Sequence, residues 1–440
     1  MKHVFLSHSR KLERHYDSDM TTSTLNPAAP DVGNSLRQDA GVIGLVGLAH
    51  MISHFSQLLL PPLFPWLKDA FNASYTELGF LMTIFFIVSC VVQTLSGFWV
   101  DRYGPRPILF AGLSLLGLAA FGFSISTGYW MMAGFAALAG VGNGVFHPVD
   151  YTLLNKKVTP SRLGHAYSTH GITGSLGWAL APVLLVPLAL AYSWRVALMA
   201  AGCLAFVVLA ALILNRDKLT LALAASASTG TTLDAAQVPA PSSDNFDFLK
   251  IPSVWMCFWF FFLYAIVLSV IQAFAPEAAR QLHGVPVAMA AICLTIYMVC
   301  SASGMVLGGF LASNAERCER VVAASFAIAA FVALTLGLAH LPAYAVPVLF
   351  GVMGFASGTA GPSRDLLVKK STPENSTGRV YGVVYSGLDI GQAISPLIFG
   401  ALMDQHQYTG VFFGLALVQG VIIISAFKVR RARRGAVALA

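Results

Sequence analysis

Apolar runs of about twenty residues recur along almost the whole chain, and this pattern restricts the folds open to it. Twelve runs are long enough to cross a bilayer, because a helix needs roughly 20 mostly apolar residues for a hydrocarbon core about 30 Å thick. Charged residues make up 11% of the sequence, against about 25% in soluble domains. The sequence therefore predicts an all-α membrane protein.

Short polar loops separate the predicted spans, which are 41–66, 76–100, 107–126, 129–155, 163–192, 194–214, 253–275, 287–312, 319–340, 342–369, 378–402 and 408–428. The segment 215–250 is rich in Ala, Ser, Thr and Pro, which is typical of a linker. We predict bundles at 41–214 and 251–428, a disordered cytoplasmic tail at 1–40 and a basic cytoplasmic tail at 429–440.

Basic residues are sorted to one side of the predicted helices. Of the 27 Lys and Arg residues, all but four fall in segments that are cytoplasmic if both termini are cytoplasmic. The exceptions are Lys68, Arg195 and Arg280 in outer loops and Arg364 within a span. This positive-inside pattern predicts an even number of spans in the cytoplasmic (inner) membrane. The net charge of +7 therefore indicates contact with lipid headgroups, not with nucleic acid.

An internal repeat relates the two halves. At an offset of 214 residues nine identities coincide, mostly Gly and Pro, including Gly140 with Gly354, Gly144 with Gly358, Pro148 with Pro362 and Gly177 with Gly391. The repeat predicts two six-helix bundles in the same orientation, related by pseudo-symmetry. Transporters built from such repeats bind their solute at the interface between the repeats.

The loop between the second and third predicted helices carries a compact motif, Gly97-Phe-Trp-Val-Asp101-Arg102-Tyr-Gly104-Pro-Arg106. Gly97 suits a close helix approach, and Asp101 can pair or cap at a helix end. The second-half copy, Gly309-Phe-Leu-Ala-Ser313-Asn314, lacks the acid. Together with the repeat, this motif resembles that of the major facilitator superfamily. The resemblance implies that Asp101, Arg102 and Arg106 lock helix ends at a cytoplasmic gate.

Two further segments are similar to the fosmidomycin-resistance-type branch of that superfamily: Gly142-Asn143-Gly144-Val-Phe146-His147-Pro148, and His54 to Gln57 followed by a proline-rich turn. This resemblance implies antiport, drug resistance and export of a small toxic compound. Uptake of a small organic acid stays open as an alternative.

Polar residues within spans are the candidates for the transport path, because an ionisable group there costs roughly 2.5 to 3.5 kcal/mol on insertion scales. His50, His54 and Gln57 share one face of the first helix, and Asn143, His147 and Asp150 form a similar stripe on the fourth. We expect these faces to line a cavity. The alternative is that helix carbonyls satisfy both imidazoles and that their role is structural.

Asp150 and Arg364 occupy equivalent positions of the repeat. Equivalent positions can approach each other across a pseudo-two-fold axis, so this pair is a candidate cytoplasmic gate between the bundles. The alternative is that Arg364 pairs with Asp365 in its own half.

The eleventh helix places Tyr381, Tyr385, Asp389 and Gln392 on one face. Asp389 lies near mid-span, where a carboxyl can gain and lose a proton near neutral pH. We predict that Tyr385, Asp389 and Gln392 belong to the substrate or proton path, with Asp389 as the coupling residue. The alternative role for Asp389 is a structural hydrogen bond.

Other residues are expected to be structural. A glycine series, Gly171, Gly174, Gly177, Gly387 and Gly391, is predicted to pack helices closely. Glu77 and Glu277 are expected to be solvated at outer helix ends.

No nucleophile with a base, no metal-ligand pattern and no GxxxxGK[ST] phosphate loop occurs in the sequence. We therefore predict no enzyme activity, cofactor or bound metal, and an ion gradient as the energy source. The leading hypothesis is a monomeric, proton-coupled secondary transporter of a small molecule. The rivals are a facilitator without ion coupling and a membrane solute sensor that does not transport; the short linker and the lack of an appended soluble domain favour a carrier.

Overall fold

The computed structural model describes residues 35–221, 252–312, 318–371 and 377–438, and for 253, 364–371, 377–385 and 426–438 it describes the backbone alone. The predicted tail and linker lie almost wholly outside these ranges, as do Ser313 and Asn314. Within the ranges the secondary structure is helical, without strands.

The first half contains eight helices: α1 (Leu36–Gln57), α2 (Phe64–Phe71), α3 (Tyr75–Tyr103), α4 (Pro105–Ile125), α5 (Tyr129–Asn143), α6 (Phe146–Lys157), α7 (Leu163–Ala191) and α8 (Trp194–Leu214). Single 3-10 turns lie at Pro61–Leu63, Pro160–Arg162 and Arg216–Leu219.

The described part of the second half contains seven: α9 (Pro252–Ala273), α10 (Ala275–His283), α11 (Val287–Leu311), α12 (Cys318–Leu338), α13 (Ala345–Ser371), α14 (Thr377–Asp404) and α15 (Tyr408–Ala438). The first and last helices extend beyond the predicted spans, because α1 begins at Leu36 and α15 continues to Ala438.

Among the described residues, 11 helical segments are long and apolar enough to cross a membrane. The remaining predicted span, 129–155, is divided into α5 and α6, so neither part reaches that length. Pro148 lies in the first turn of α6, next to the division, and has no N–H to donate to the carbonyl of Gly144. The Ser96 hydroxyl donates to that carbonyl instead, at 3.4 Å. The prediction of twelve spans in two six-helix bundles is confirmed.

The helix bounds follow the sequence repeat. Adding 214 to the bounds of α7, 163–191, gives 377–405, and α14 spans Thr377–Asp404. The same offset carries the start of α8 at Trp194 onto the start of α15 at Tyr408. The repeat is imperfect at one place, since α13 continues through Pro362 where the first half breaks.

Two ends of the helical assembly can be told apart by charge. We call one the basic face; it carries Arg102, Arg106, Lys156, Lys157 and Lys218. There Arg106 Nη1 and Lys157 Nζ both donate to Thr220, each at 2.7 Å. The other end, which we call the opposite face, contains the start of α3 and the end of α14.

The two bundles meet along α3 with α14 and along α7 with α11. Thr83 donates to the carbonyl of Ala393 at 2.6 Å, and Thr295 donates to the carbonyl of Ala179 at 3.1 Å. These contacts continue to the opposite face, where the Asp404 carboxylate accepts hydrogen bonds from the first residues of α3. The described contacts between bundles thus extend from the opposite face into the middle of the assembly, where Gln93 of α3 donates to Asp389 of α14 at 3.3 Å.

Glu277 belongs to this junction, so its predicted solvation is wrong. The side chain is 9% exposed, and it accepts hydrogen bonds from Arg280 at 2.7 Å and from the Tyr75 hydroxyl at 3.2 Å. Because Tyr75 comes from the other bundle, the carboxylate is shielded by the junction that it helps to form.

Close glycine packing is confirmed for four of the five glycines in the predicted series. A Cβ at Gly177 would lie 2.2 Å from the Met51 carbonyl oxygen, and one at Gly391 would lie 2.5 Å from that of Phe262. Gly174 and Gly387 are similarly restricted. Gly171 is the exception, because a Cβ there would meet nothing within 4 Å.

Gly177→Ala is expected to lower the thermal unfolding midpoint of the purified protein. The added methyl forces α1 and α7 apart, and overpacking of this kind costs about 1–3 kcal/mol. Gly171→Ala is the matched control on the same helix, and it should leave the midpoint unchanged or raise it, because alanine favours a helix by about 1 kcal/mol over glycine. Equal midpoints for the two variants would contradict the packing argument.

Candidate functional site

Four histidines and an aspartate from three helices form a cluster inside the N-terminal bundle. Helix α1 supplies His50 and His54, α6 supplies His147 and Asp150, and α7 supplies His170. The kink before α6 brings its first turn against α1, and Gly174 and Gly177 let α7 approach the same helix. The cluster therefore depends on the packing described above.

The imidazole rings of the cluster lie in direct contact. The ring centroids of His50 and His170 are 3.5 Å apart in a stacked arrangement, and those of His50 and His54 are 4.3 Å apart. His147 lies 5.5 Å from His50 on the same measure. His54 and His147 are partly exposed, whereas His50 and His170 are buried.

Asp150 joins two of these rings and is 0% exposed. Its Oδ2 atom lies 3.1 Å from His50 Nδ1 and 3.1 Å from His170 Nε2. These partners belong to its own bundle, so the structure places Asp150 in the histidine cluster. The side chains of Arg364 and Asp365 lie outside the described residues, and a gate pair between Asp150 and Arg364 stays a prediction.

A second polar network lies beside the cluster and contains two of the predicted path residues, Gln57 and Asn143. The Asn143 Oδ1 atom accepts hydrogen bonds from Ser53 at 2.8 Å and from Gln57 at 3.3 Å. Trp178 donates to Gln57 Oε1 at 2.9 Å, and its ring lies 4.3 Å from that of His54. The predicted stripes on the first and fourth helices therefore meet in one site.

Gln93 of α3 connects this site to the C-terminal bundle. Its Oε1 atom lies 2.9 Å from His147 Nδ1, and its Nε2 atom donates to Asp389 Oδ2 at 3.3 Å. Cys90, one helical turn before Gln93, lies beside the same carboxylate. One side chain thus spans the junction between His147 and Asp389.

The residues of the second half that were predicted to line the substrate or proton path differ in burial and in hydrogen bonding. Asp389 is partly exposed at the bundle junction, whereas Gln392 is buried and its Oε1 atom has no hydrogen-bond partner among the described residues. The side chains of Tyr381 and Tyr385 lie outside the described residues.

The described side chains form no lock at the loop motif, and the side chains at the start of α14 lie outside the described residues, so the lock stays a prediction. Asp101 is exposed, and within the described part of the chain its carboxylate makes no ion pair. Arg106 donates to Thr220, and the Arg102 guanidinium lies against the neighbouring Tyr103 ring. A Cβ at Gly97 would meet no atom of the described residues within 4 Å, so the predicted close approach there is not observed in this part of the chain.

Sequence reasoning missed His170, Gln93 and Trp178. A signal for His170 was present, because it lies four residues before Gly174 and therefore shares the helix face that packs on α1. Gln93 and Trp178 had no such signal, since each is a lone polar residue whose partners come from other helices.

The site can donate and accept hydrogen bonds towards a small polar solute, and its imidazoles offer nitrogen ligands. Two sets of three residues bring one ligand atom each within 4.8 Å of one another: His50, His54 and His147, and His50, Asp150 and His170. The prediction that no metal-ligand group exists was made from residue spacing within single helices. It missed these sets because each combines residues from two or three helices.

Comparisons with known proteins identify relatives of several kinds. The chain is 30% identical over 185 residues to the fosmidomycin resistance protein of Escherichia coli (strain K12), a match that covers 40% of this chain and 42% of that protein. It is 22% identical over 408 residues to the hexuronate transporter of Bacillus subtilis (strain 168), covering 88% of this chain and 92% of that protein. The membrane sensor protein UhpC of Escherichia coli is 31% identical over 157 residues, covering 33% of this chain and 36% of that one.

A solved structure has the same fold. It is a bacterial homologue of the human lysosomal transporter Spinster in an inward-facing and occupied conformation, with a TM-score of 0.70 and 14% identity. The match covers 91% of this chain and 98% of that one.

The profile of one family matches nearly the whole chain in two overlapping segments, 46–351 and 258–439. Together with the two six-helix bundles and the similarity to the fosmidomycin resistance protein, this match confirms the resemblance inferred from the loop motif. The chain belongs to the Major Facilitator Superfamily of membrane transporters and is not an enzyme.

Proposed function

We propose that this protein is a proton-coupled secondary transporter that exports a small solute by alternating access. The observation that carries the proposal is the linkage of the histidine cluster, through Gln93, to Asp389 in the other bundle. A solute bound between the bundles would touch polar groups of both halves. A proton on Asp389 would change the hydrogen bond between Asp389 and Gln93 that joins the two bundles.

The conformation described here is proposed to be the inward-facing one. The hydrogen bonds between bundles made by the described residues extend from the opposite face as far as Asp389, whereas Tyr151 and Tyr167, on the basic side of the cluster, are exposed by 42% and 38%. Positive-inside sorting assigns the basic face to the cytoplasm. On this proposal both termini are cytoplasmic, in the inner membrane, and the protein works as a monomer.

Asp389 is the proposed coupling residue because it lies at the boundary between the protein interior and the junction. A carboxyl there is surrounded by low-dielectric protein when the bundles are closed around it and by water when the cleft is open. Its proton occupancy can therefore differ between the two conformations. Its partners, Gln93 and Cys90, carry no formal charge as an amide and a thiol, and so provide no fixed positive charge that would hold the carboxyl ionised.

Export is supported by the similarity to the fosmidomycin resistance protein, a similarity that covers only part of both chains. Uptake of a small organic acid is the second candidate, and the hexuronate transporter supports it because that match extends over most of both chains. A sensor that binds a solute without moving it is the third, on the similarity to UhpC.

Growth experiments distinguish these functions. A bacterial strain producing the chain is compared with the same strain carrying an empty vector, across fosmidomycin and a panel of other antimicrobials, and with hexuronates as sole carbon source. Resistance with lower internal drug content is the expected result. Growth gained on a hexuronate without resistance would replace export by uptake, and solute binding by the purified protein without movement into proteoliposomes would favour a sensor.

A further inference from the structure

The imidazole nitrogens in the cluster lie close enough together to be candidates for metal ligands. One ring nitrogen from each of His50, His54 and His147 lies within 4.8 Å of the others. In a tetrahedral zinc site with metal–nitrogen bonds of about 2.0–2.1 Å, ligand atoms are about 3.3–3.4 Å apart. Small shifts of side chains would therefore bring three imidazoles to ligand distance.

Two of these rings are already oriented by partners on their other nitrogen. Asp150 Oδ2 lies 3.1 Å from His50 Nδ1, and Gln93 Oε1 lies 2.9 Å from His147 Nδ1. Each partner accepts a proton from Nδ1 and so leaves the lone pair of that ring on Nε2. Metal-binding histidines almost always have such a carboxylate or carbonyl partner behind them.

The third ring has an unsatisfied nitrogen. His54 Nδ1 is buried beside the backbone of Gly174 without a well-formed hydrogen bond. Its ring is held between His50 and Trp178, with both centroid separations at 4.3 Å. A buried nitrogen without a partner is costly, and a bound cation would remove that cost.

We propose that the cluster binds one divalent transition-metal ion of the zinc class, with His50, His54 and His147 as ligands and Asp150 as the residue that orients His50. Neutral imidazole is a common ligand for Zn²⁺, Co²⁺ and Ni²⁺. The partial exposure of His54 and His147 gives the ion a route from the cleft and leaves a ligand position open to water or solute. This binding does not depend on the direction or the proton coupling proposed above.

The test is Zn²⁺ binding by the full chain, purified in detergent with a tag that contains no histidine and stripped of metal with a chelator. Competition with a chromophoric chelator measures affinity and stoichiometry. We expect one Zn²⁺ per chain. His54→Ala and His147→Ala should each lower the Zn²⁺ affinity by more than the about 10–100-fold that is typical when a residue that orients a metal ligand is lost. Asp150→Asn should fall within that 10–100-fold range.

His165→Ala is the matched control, because His165 is an exposed histidine on α7 outside the cluster; its Zn²⁺ affinity should equal that of the wild type. Co²⁺ provides a measurement that needs no variant, since coordination by three imidazoles produces visible ligand-field absorption. The proposal is overturned if the wild type lacks that absorption, or if it binds Zn²⁺ no more tightly than a folded His54→Ala, His147→Ala double variant. Either outcome would leave a hydrogen-bonded cluster, and the growth experiments would still test transport.

Discussion

Asp389→Asn is expected to abolish solute movement driven by a proton gradient while preserving exchange of solute across the membrane. Asparagine has nearly the same shape as aspartate and can still hydrogen-bond to Gln93, but it cannot bind and release a proton. Gradient-driven transport should fall by about ten-fold or more, which corresponds to a loss of at least about 1.4 kcal/mol of coupling.

The measurement uses everted membrane vesicles energised by a pH gradient, with the solute that the growth experiments identify. Solute counterflow in the absence of a gradient is measured on the same vesicles, because a merely structural defect would reduce both activities. Asp69→Asn, at an exposed carboxylate of α2, is the matched control and should retain both. If Asp389→Asn leaves gradient-driven transport intact, the protein is a facilitator or is coupled through another group.

Asp404→Ala is expected to shift the protein towards a conformation that is open at the opposite face. The Asp404 carboxylate accepts hydrogen bonds from Tyr75 N at 2.7 Å, Thr76 N at 2.9 Å and Thr76 Oγ1 at 2.6 Å. Bonds to a charged acceptor contribute about 1.5–3 kcal/mol each when buried. Because Asp404 is partly exposed, we expect a total near 2 kcal/mol, or an about 30-fold change in the ratio of the two conformations.

This change is measured as the distance between two spin labels, one at position Asp69 and one at position Gln405. The labels are attached by chemistry that does not use cysteine. Both positions are exposed at the opposite face, one in each bundle, and the Asp404→Ala protein should populate longer distances. Glu77→Ala is a matched control: Glu77 is a carboxylate at the same end of α3, but its side chain caps Ser74 N within one bundle, at 2.7 Å. A distance distribution that is the same in Asp404→Ala and the wild type would mean that Asp404 does not hold the bundles together.

The candidate site shows where reasoning from the sequence succeeds and where it ends. Spacings of three and four residues correctly placed His50, His54 and Gln57 on one face of α1, because helix geometry is local. The contact of that face with Asn143 and His147 was expected only in general terms, as a cavity. His170 and Gln93 were missed because their roles depend on distances between helices.

Charged residues show the same limit. Asp150 and Arg364 are equivalent in the repeat, yet the carboxylate of Asp150 lies between two histidines of its own bundle. Glu277 was expected in water and lies in the junction between bundles. A sequence can place a charge at a helix end, but the partner that shields it comes from a distant part of the chain.

The sequence by itself determined the membrane fold, the twelve spans and the two related bundles. These properties depend on the length of apolar runs and on a repeat of glycines and prolines, which are readable residue by residue. Only the tertiary structure decided which helices touch. It decided that Gly177 packs tightly while Gly171 does not, that Asp150 joins two of four clustered histidines, and that Gln93 links His147 to Asp389. The physical reason is that close packing brings together side chains separated by up to about three hundred residues, and neither hydropathy nor helical periodicity specifies those distances.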